Sequence, residues 1–216
     1  MQDRNFDDIA DKFARNIYGT TKGRIRQAVL WQDLETLLAT LPQRPLRILD
    51  AGGGQGQIAC QLAARGHQVI LCDISEQMLA RAAQHAAEQG VSARMELVQS
   101  PAQEMHHHLA APVDLVLFHA VLEWVAEPQA VLAALEKCLA PGGALSLMFY
   151  NYNGLLMLNT LVGEYGVCEA RHAEAQAALA LTRSSVGSRT GLRLAGTAGI
   201  DHQWKNRGAG LPRLPA

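Results

Sequence analysis

The chain has 216 residues, which is enough to bury one sizeable core and short for two domains. Hydrophobic residues make up 49% and charged residues 18% of it, as in an ordinary soluble globular protein. The net charge of −1 gives no argument for a nucleic-acid partner. The first residues, 1–12, are polar and acidic, unlike a signal peptide, and no apolar run approaches the roughly 20 residues that span a bilayer. We therefore expect a cytoplasmic protein.

The first 40 residues are predicted to be helical. Apolar residues recur every three or four positions in Asp7–Asn16 and again from Ile25 to Leu38, which is the spacing of one helix face. The prolines Pro42 and Pro45 end this pattern.

Strands and helices then alternate along the chain. The predicted strands cover 46–50, 68–73, 95–99, 113–119 and 144–150, and the predicted helices cover 57–65, 76–89 and 128–139. Continuous apolar strands that are each followed by a helix are typical of a parallel sheet covered on both faces. The fold class is therefore predicted to be α/β.

The four cysteines show no Cys-x-x-Cys spacing and no zinc-finger pattern with histidine. Cys60, Cys72 and Cys138 have apolar neighbours, which predicts buried thiols in a reducing compartment. The run His106 to His108 cannot converge on a tetrahedral ion, because consecutive helical residues point in different directions. We interpret these histidines as solvated loop or helix-end residues and predict no metal.

A sheet of this kind binds ligands at the carboxyl ends of its strands. The first strand runs into the loop Asp50-Ala51-Gly52-Gly53-Gly54-Gln55-Gly56, whose glycines permit a tight turn and a close approach to a ligand. The alternative is a tight strand-to-helix turn without a ligand. Asp73 ends the second strand about 20 residues further on, where an acidic side chain holds ribose hydroxyls, although it could instead cap the next helix. Together the two signals favour a nucleoside site.

Two further strand ends carry candidate residues. Ala102 and Gln103 follow the third strand, where a backbone N–H and a polar side chain could meet an adenine edge or form an ordinary polar loop. His119 ends the fourth strand and could contact the ligand or the incoming substrate, or be a core histidine. Trp124 is predicted to pack against the protein.

The glycine loop departs from the dinucleotide pattern. Starting Gly-x-Gly-x-x-Gly at Gly52 places Gln57 where the last glycine belongs. The pattern Asp-x-Gly-x-Gly-x-Gly suits S-adenosylmethionine better, because that ligand has an amino-acid moiety and no phosphate. Asp50 could hold the loop or a ligand ammonium. Arg26 is a candidate counter-ion for the ligand carboxylate, although a solvated surface arginine is the simpler interpretation.

Residues 1 to about 163 resemble the bacterial tRNA 5-carboxymethoxyuridine methyltransferases. The stretches that carry the resemblance are Met1–Ala10, Tyr18–Gly23, Leu49–Gly56, Gly66–Asp73, Leu117–Val125 and Leu145–Asn151. The glycine loop is shared by many methyltransferases, whereas the N-terminal stretch and the segment from His119 to Trp124 are far more specific.

The resemblance implies a Rossmann-like class I methyltransferase sandwich with S-adenosylmethionine as its cofactor. It implies methylation of the carboxylate of 5-carboxymethoxyuridine at the tRNA wobble position, giving the methyl ester. It also implies cofactor contacts that include Arg26, which reverses the interpretation of that residue. A carboxylate with a pKa near 4 is already an anionic nucleophile at neutral pH, so no catalytic residue is predicted. The candidate cofactor-binding residues are Arg26, Asp50, Gly52, Gly53, Gly54, Gly56, Asp73, Ala102, Gln103 and His119.

The resemblance ends near Gly166. From there the chain is rich in alanine, arginine and glycine, holds no strand-like apolar run, and lacks the lysine/arginine-rich stretch and the strands found in the family. We therefore expect a cofactor domain over 1–163, a disordered or non-native tail over 164–216, and a sheet without its C-terminal strands. A one-base shift in the coding sequence permits YVKRGMPKRKRR from Val167 and LIISGKTGV from Ile200. We hypothesise a frameshift near Gly166.

Three functions remain open at this point. The first is the tRNA carboxyl methyltransferase. The second is a small-molecule methyltransferase of the same fold, because a cofactor loop does not choose a substrate. The third is an inactive truncated protein that binds S-adenosylmethionine.

Overall fold

The computed structural model describes residues 21–149 and the backbone of 193–196. Its helices are α1 (Thr21–Leu38), α2 (Gln57–Ala64), α3 (Glu76–Glu88), α4 (Met105–His108) and α5 (Pro128–Cys138). Its strands are β1 (Arg47–Ala51), β2 (Gln68–Asp73), β3 (Met95–Gln99), β4 (Val113–His119), β5 (Leu139–Met148) and β6 (Arg193–Gly196). The helix predicted over Asp7–Asn16 lies outside the described residues. Within 21–149, no helix is both long and apolar enough to cross a bilayer.

The strands form one six-stranded sheet in the order β3-β2-β1-β4-β5-β6, and every neighbouring pair is parallel. The chain builds outward from β1 to β3 and then returns to the other side of β1 to continue with β4. The loops after β1 and β4 therefore diverge, and a crevice opens between them at the carboxyl edge of the sheet. The candidate residues at the strand ends all lie along this edge.

Helices cover both faces of the sheet. On one face, Leu34 of α1, Leu62 of α2 and Ala82 of α3 belong to one buried cluster with the strands. On the other face, Met105 of α4 and Leu135 of α5 belong to a second cluster. Each leucine buried in this way stabilises the fold by about 1.5–3 kcal/mol relative to exposure. The predicted α/β class, a Rossmann-like sandwich, is confirmed.

Helix α3 begins directly after the end of β2. Ser75 is its N-cap, and the Oγ of Ser75 accepts a hydrogen bond from the Met78 N–H at 3.1 Å. Such a cap stabilises a helix by about 1 kcal/mol. The cap fixes where the chain turns from strand to helix, and so it fixes the position of Asp73.

An ion pair joins the segment before β1 to β4 at the opposite, amino edge of the sheet. The guanidinium of Arg44 donates to both carboxylate oxygens of Asp114, at 2.9 and 2.8 Å. The backbone N–H of Arg47 donates to the same carboxylate at 2.9 Å. Arg44 and this N–H hold the pKa of Asp114 below its usual range, although burial opposes them. This contact stabilises the sheet away from the crevice.

Strand β5 begins earlier than the sequence predicts. The turn-like segment Pro141-Gly142-Gly143 lies inside the strand, and the pairing with β4 shifts register there, from Val113 opposite Leu139 to Leu115 opposite Ala144. A bulge of this kind lets the ladder continue past residues that would otherwise end a strand.

Strand β6 corrects the expectation that the tail holds no strand. Arg193–Gly196 pairs in parallel with Ala144–Leu147 of β5. Backbone hydrogen bonds along one side are enough to hold a short edge strand, so no long apolar run is needed. The rest of the tail, including the stretch near Gly166, lies outside the described residues, and the frameshift stays a hypothesis.

The predicted buried thiols are confirmed, because Cys60, Cys72 and Cys138 are all free and buried. Among the histidines of α4, His107 and His108 are exposed at the helix end, as predicted. His106 is half-buried instead, because its Nδ1 lies 3.0 Å from the carbonyl oxygen of Gln103. In the described part of the chain, no three His, Cys, Asp or Glu side chains lie close enough together to hold a metal ion.

Candidate functional site

The loop between β1 and α2 is attached to the end of β2. The N–H groups of Gly52 and Gly53 both donate to the carbonyl of Cys72, at 2.8 and 3.1 Å. Gly52 has a φ of +71°, and a Cβ built there would lie 2.5 Å from Cγ2 of Val121. A Cβ on Gly53 would lie 2.7 Å from the carboxyl carbon of Asp50. Glycine is therefore needed at 52 for its backbone conformation and at both positions for space.

Gly54 differs from these two glycines because its surroundings are open. Its φ is +55°, and a Cβ built there would meet nothing within 4 Å. Gly54 lines a cleft at the carboxyl edge of the sheet. The open space beside its backbone is therefore available to a ligand.

Asp73 joins the glycine loop to the start of α3. One carboxylate oxygen accepts the N–H of Gly54 and the other accepts the N–H of Ser75, both at 2.9 Å. Because Ser75 supplies the helix cap, Asp73 is not the N-cap residue that the alternative interpretation predicted. A carboxylate has about four acceptor sites, so Asp73 retains capacity for ligand hydroxyls.

Asp50 is only 5% exposed, yet it lines the cleft. Burial, and to a lesser degree the charge of Asp73, raise the pKa of Asp50 to about 7. A cationic ligand group would favour the ionised carboxylate. The acidic wall, defined here as Asp50 and Asp73, therefore favours a ligand with a positive charge and hydroxyl donors.

Arg26 and His119 lie in the same cleft. Burial, and to a lesser degree the positive charge of Arg26, lower the pKa of His119 to about 4. The ring is therefore neutral at neutral pH. Its Nε2 lies 2.9 Å from the Oγ of Ser146 on β5. A guanidinium and a neutral imidazole can together bind an anionic group.

The segment after β3 forms another part of the cleft. A 3₁₀ turn covers Ala102–Glu104, and Ala102 and Gln103 line the cleft together with Ser100 and Pro101. Ala102 is buried and Gln103 is half-buried. This turn brings a backbone edge and an amide side chain to the place where the sequence predicts adenine contacts.

A protein-family comparison bears on the chemistry of this cleft. A family model described as a methyltransferase domain matches residues 49–147, which run from β1 through most of β5. These residues are therefore similar to a methyltransferase domain. The match covers the glycine loop and the ends of β2, β3 and β4, and so it includes most of the cleft.

The chain is also similar to individual proteins of known name. A protein of Escherichia coli K12 named tRNA 5-carboxymethoxyuridine methyltransferase is 61% identical over 170 residues, covering 79% of this chain and 65% of that protein. A ubiquinone biosynthesis O-methyltransferase of Caulobacter sp. strain K31 is 38% identical over 112 residues, covering 51% of this chain and 43% of that protein. The crystal structure of an S-adenosyl-L-homocysteine complex of a SAM-dependent methyltransferase from Thiobacillus denitrificans has a TM-score of 0.49 at 22% identity, covering 68% of this chain and 56% of that one.

The identity with the E. coli protein confirms the resemblance found in the sequence. The chain spans 65% of the length of that relative, and the same share of a second relative of the same name from E. coli O157:H7.

The structure places the predicted site residues together, with one exception. The residues that line the cleft are Arg26, Asp50, Gly52, Gly53, Gly54, Asp73, Ala102, Gln103 and His119. Gly56 lies beside the cleft and outside its lining. It is the N-cap of α2, and a Cβ there would lie 3.1 Å from the Cβ of Ala82. Its place is therefore explained by packing between α2 and α3.

Several cleft residues were not anticipated from the sequence. Gln27 and Gln57 line the cleft and are hydrogen-bonded to each other through their side-chain amides. Gln27 follows Arg26 directly in the sequence, which is a weak signal that Gln27 lies in the cleft. Trp124 is predicted to pack against the protein, and the structure places it in the cleft lining with Val121. A short 3₁₀ turn over Leu122–Trp124 brings it there, and that turn is not visible as a periodic pattern.

Proposed function

We propose that this cleft binds S-adenosylmethionine and that the chain methylates the carboxylate of 5-carboxymethoxyuridine at the tRNA wobble position. The observation that carries the cofactor is the acidic wall beside a glycine loop with open space at Gly54. The acceptor is supported by 61% identity to an E. coli protein named for it.

The residues of the cleft fit each charged part of this cofactor. Asp73 has acceptor capacity for the two ribose hydroxyls. Asp50, buried beside the loop, suits an ammonium group, and Arg26 with His119 suits a carboxylate. The acidic wall argues against a dinucleotide, because a pyrophosphate would be placed near two acidic side chains.

The residues after β2 and β3 suit an adenine ring. Ile74 and Met78 follow Asp73 and line the same cleft as Ala102 and Gln103. Apolar side chains of this kind contact the faces of a base, while the backbone and the amide contact its edge.

The chemistry places modest demands on the protein. S-adenosylmethionine, when bound, supplies an electrophilic methyl group. The acceptor carboxylate is ionised at neutral pH, so no side chain has to remove a proton. Val121, Trp124 and Met148 line the cleft on the β4 and β5 side, where their apolar surfaces exclude water and limit how an acceptor can lie. The task of these residues is orientation.

A small-molecule acceptor is the second candidate. It is favoured by the 38% identity with a ubiquinone biosynthesis O-methyltransferase, which extends over 112 residues. An inactive chain that still binds the cofactor is the third, because this chain spans 65% of its E. coli relative.

Methyl transfer to tRNA separates these candidates. The full chain is incubated with S-adenosylmethionine and tRNA that carries the carboxymethoxy group, and the digested nucleosides are examined by mass spectrometry for the methyl ester. Matched controls are tRNA without the carboxymethoxy group and the Asp73→Ala variant. We expect ester formation only with the modified tRNA and the unaltered chain.

Calorimetry with S-adenosyl-L-homocysteine and with a nicotinamide dinucleotide tests the cofactor separately. Binding of the first without any methyl ester would reject the tRNA activity and favour the small-molecule or inactive alternative. Binding of the dinucleotide alone would reject the cofactor assignment.

A further inference from the structure

We propose that Ser146 sets the tautomer of His119, so that the ring carries its proton on Nδ1 and offers an N–H donor to the cleft. Ser146 is then a positioning residue. This inference deepens the proposed function. The hydrogen bond between Ser146 and His119 belongs to the protein itself, whereas the identity of the anionic group that the ring would bind rests on the proposed function.

The sheet register brings the two side chains together. Leu117 of β4 is the partner of Ser146 on β5. Residues two apart in a strand share a face, so His119 and Ser146 project from the same face of the sheet. The His119 Nε2 and the Ser146 Oγ are 2.9 Å apart, and Ser146 is 1% exposed.

The hydrogen-bond requirements of the hydroxyl determine the tautomer. Among the described residues, the contact with His119 Nε2 is the only side-chain hydrogen bond of Ser146. If Nε2 carried the proton, it would donate to Oγ and leave the buried hydroxyl proton without an acceptor in this part of the chain. If Nε2 is unprotonated, the hydroxyl donates to it and both groups are satisfied. A buried donor without an acceptor is unfavourable enough to shift the tautomer ratio by about tenfold or more.

The ring and its backbone are both constrained. Burial and the charge of Arg26 keep the ring neutral at pH 7, so it carries a single proton and the two tautomers are distinct. The next residue, Ala120, has a φ of +58°, and its N–H donates to the carbonyl of Met148 at 2.7 Å. The end of β4 is thereby held against β5 while the chain turns away.

The tautomer decides what the ring can bind. With the proton on Nδ1, the nitrogen that does not contact Ser146 is a donor. It can then share an anionic acceptor, such as a carboxylate, with Arg26 in the same cleft. With the opposite tautomer, a lone pair on Nδ1 would face that acceptor and repel it.

Long-range ¹H–¹⁵N NMR of the full chain, without any ligand, tests the proposal. The His119 ring signals are assigned by their loss in His119→Asn. We expect Nδ1 in the range of a protonated nitrogen and Nε2 in the range of an unprotonated one. The opposite assignment in the unaltered chain overturns the proposal without any Ser146 variant.

Two serine variants test the role of the hydroxyl. In Ser146→Ala we expect the ring signals to move toward a tautomer mixture. Ser75→Ala removes another fully buried hydroxyl and should leave the His119 signals unchanged. If Ser146→Ala keeps the Nδ1–H tautomer in a folded chain, Ser146 does not set it.

Binding gives an independent readout. We expect Ser146→Ala to weaken S-adenosyl-L-homocysteine binding by about tenfold and Ser146→Thr, which keeps the hydroxyl, to restore most of it. Wild-type affinity in a Ser146→Ala chain with a mixed tautomer would contradict the claim that the donor contacts the ligand. If the unaltered chain does not bind this ligand, the proposed function fails, whereas the tautomer is still decided by the NMR spectra.

Discussion

Replacing Gly54 by alanine tests whether the open space beside the glycine loop is a ligand site. Gly54 and Gly90 share two properties, since both have a positive φ, +55° and +67°, and a Cβ at either would meet nothing within 4 Å. They differ in position, because Gly54 lines the cleft and Gly90 follows α3 outside that lining. Gly90→Ala is therefore a matched control.

The two variants should lose similar stability and differ in binding. An alanine in the left-handed conformation costs about 1–2 kcal/mol. For a chain of this length, each kcal/mol lowers the melting temperature by about 2–4 °C. We expect this loss in both variants. In Gly54→Ala alone, the methyl group projects into the cleft and should weaken S-adenosyl-L-homocysteine binding by at least about tenfold, or about 1.4 kcal/mol.

Thermal unfolding measures the loss of stability, and calorimetric titration measures the affinity for S-adenosyl-L-homocysteine. The reasoning would be refuted if Gly54→Ala bound the ligand as tightly as the unaltered chain while losing as much stability as Gly90→Ala. Equal loss of binding in the two variants would also count against it, because the effect would then come from the backbone and not from the cleft.

Three further predictions concern charges. The pKa of Asp50 is raised from 3.8 to about 7, so the native protein holds this proton more tightly and loses stability as pH rises from about 4 to 7. Asp50→Asn should therefore raise the free energy of unfolding at pH 8, by up to about 4 kcal/mol, but not at pH 4; urea unfolding that gave equal changes at both pH values would contradict this. Arg26→Ala should raise the pKa of His119 above about 4, because a positive charge is removed, and an unchanged NMR titration would exclude that coupling. Asp114→Ala should lower the free energy of unfolding by about 1–3 kcal/mol, and Arg44→Ala should lower it less, because the half-exposed arginine supplies only part of the hydrogen bonding to this carboxylate. Equal losses of the two variants in chemical denaturation would contradict this.

The central strands could be predicted from the sequence because each is an apolar run closed by a polar residue. Strands β2 and β4 have the predicted bounds, and they end at Asp73 and His119. Since the carboxyl ends of parallel strands meet at one edge, the sequence alone predicts that these two residues lie near the same site.

The edges of the sheet were harder to predict because backbone pairing there does not depend on the local pattern. Pro141-Gly142-Gly143 has the composition of a turn, yet the ladder continues past it through a bulge. The strand Arg193–Gly196 has no apolar run, and its pairing with β5 is visible only in three dimensions.

The contact between His119 and Ser146 shows a second limit of prediction from the sequence. The only signal in the sequence is one hydroxyl within the apolar strand Ala144-Leu145-Ser146-Leu147-Met148. Such a serine could equally bond to its own backbone. The register between β4 and β5 decides the partner, and no local pattern encodes that register.

The order of the strands also affects how this protein can diversify. The acidic wall comes from the ends of β1 and β2, whereas Val121 and Trp124 follow β4 on the other side of the crevice. Each side is encoded by its own contiguous stretch of the gene. Recombination or engineering can therefore replace the stretch that encodes Val121 and Trp124, and so change the shape of the crevice, while the stretch that encodes the acidic wall stays unchanged.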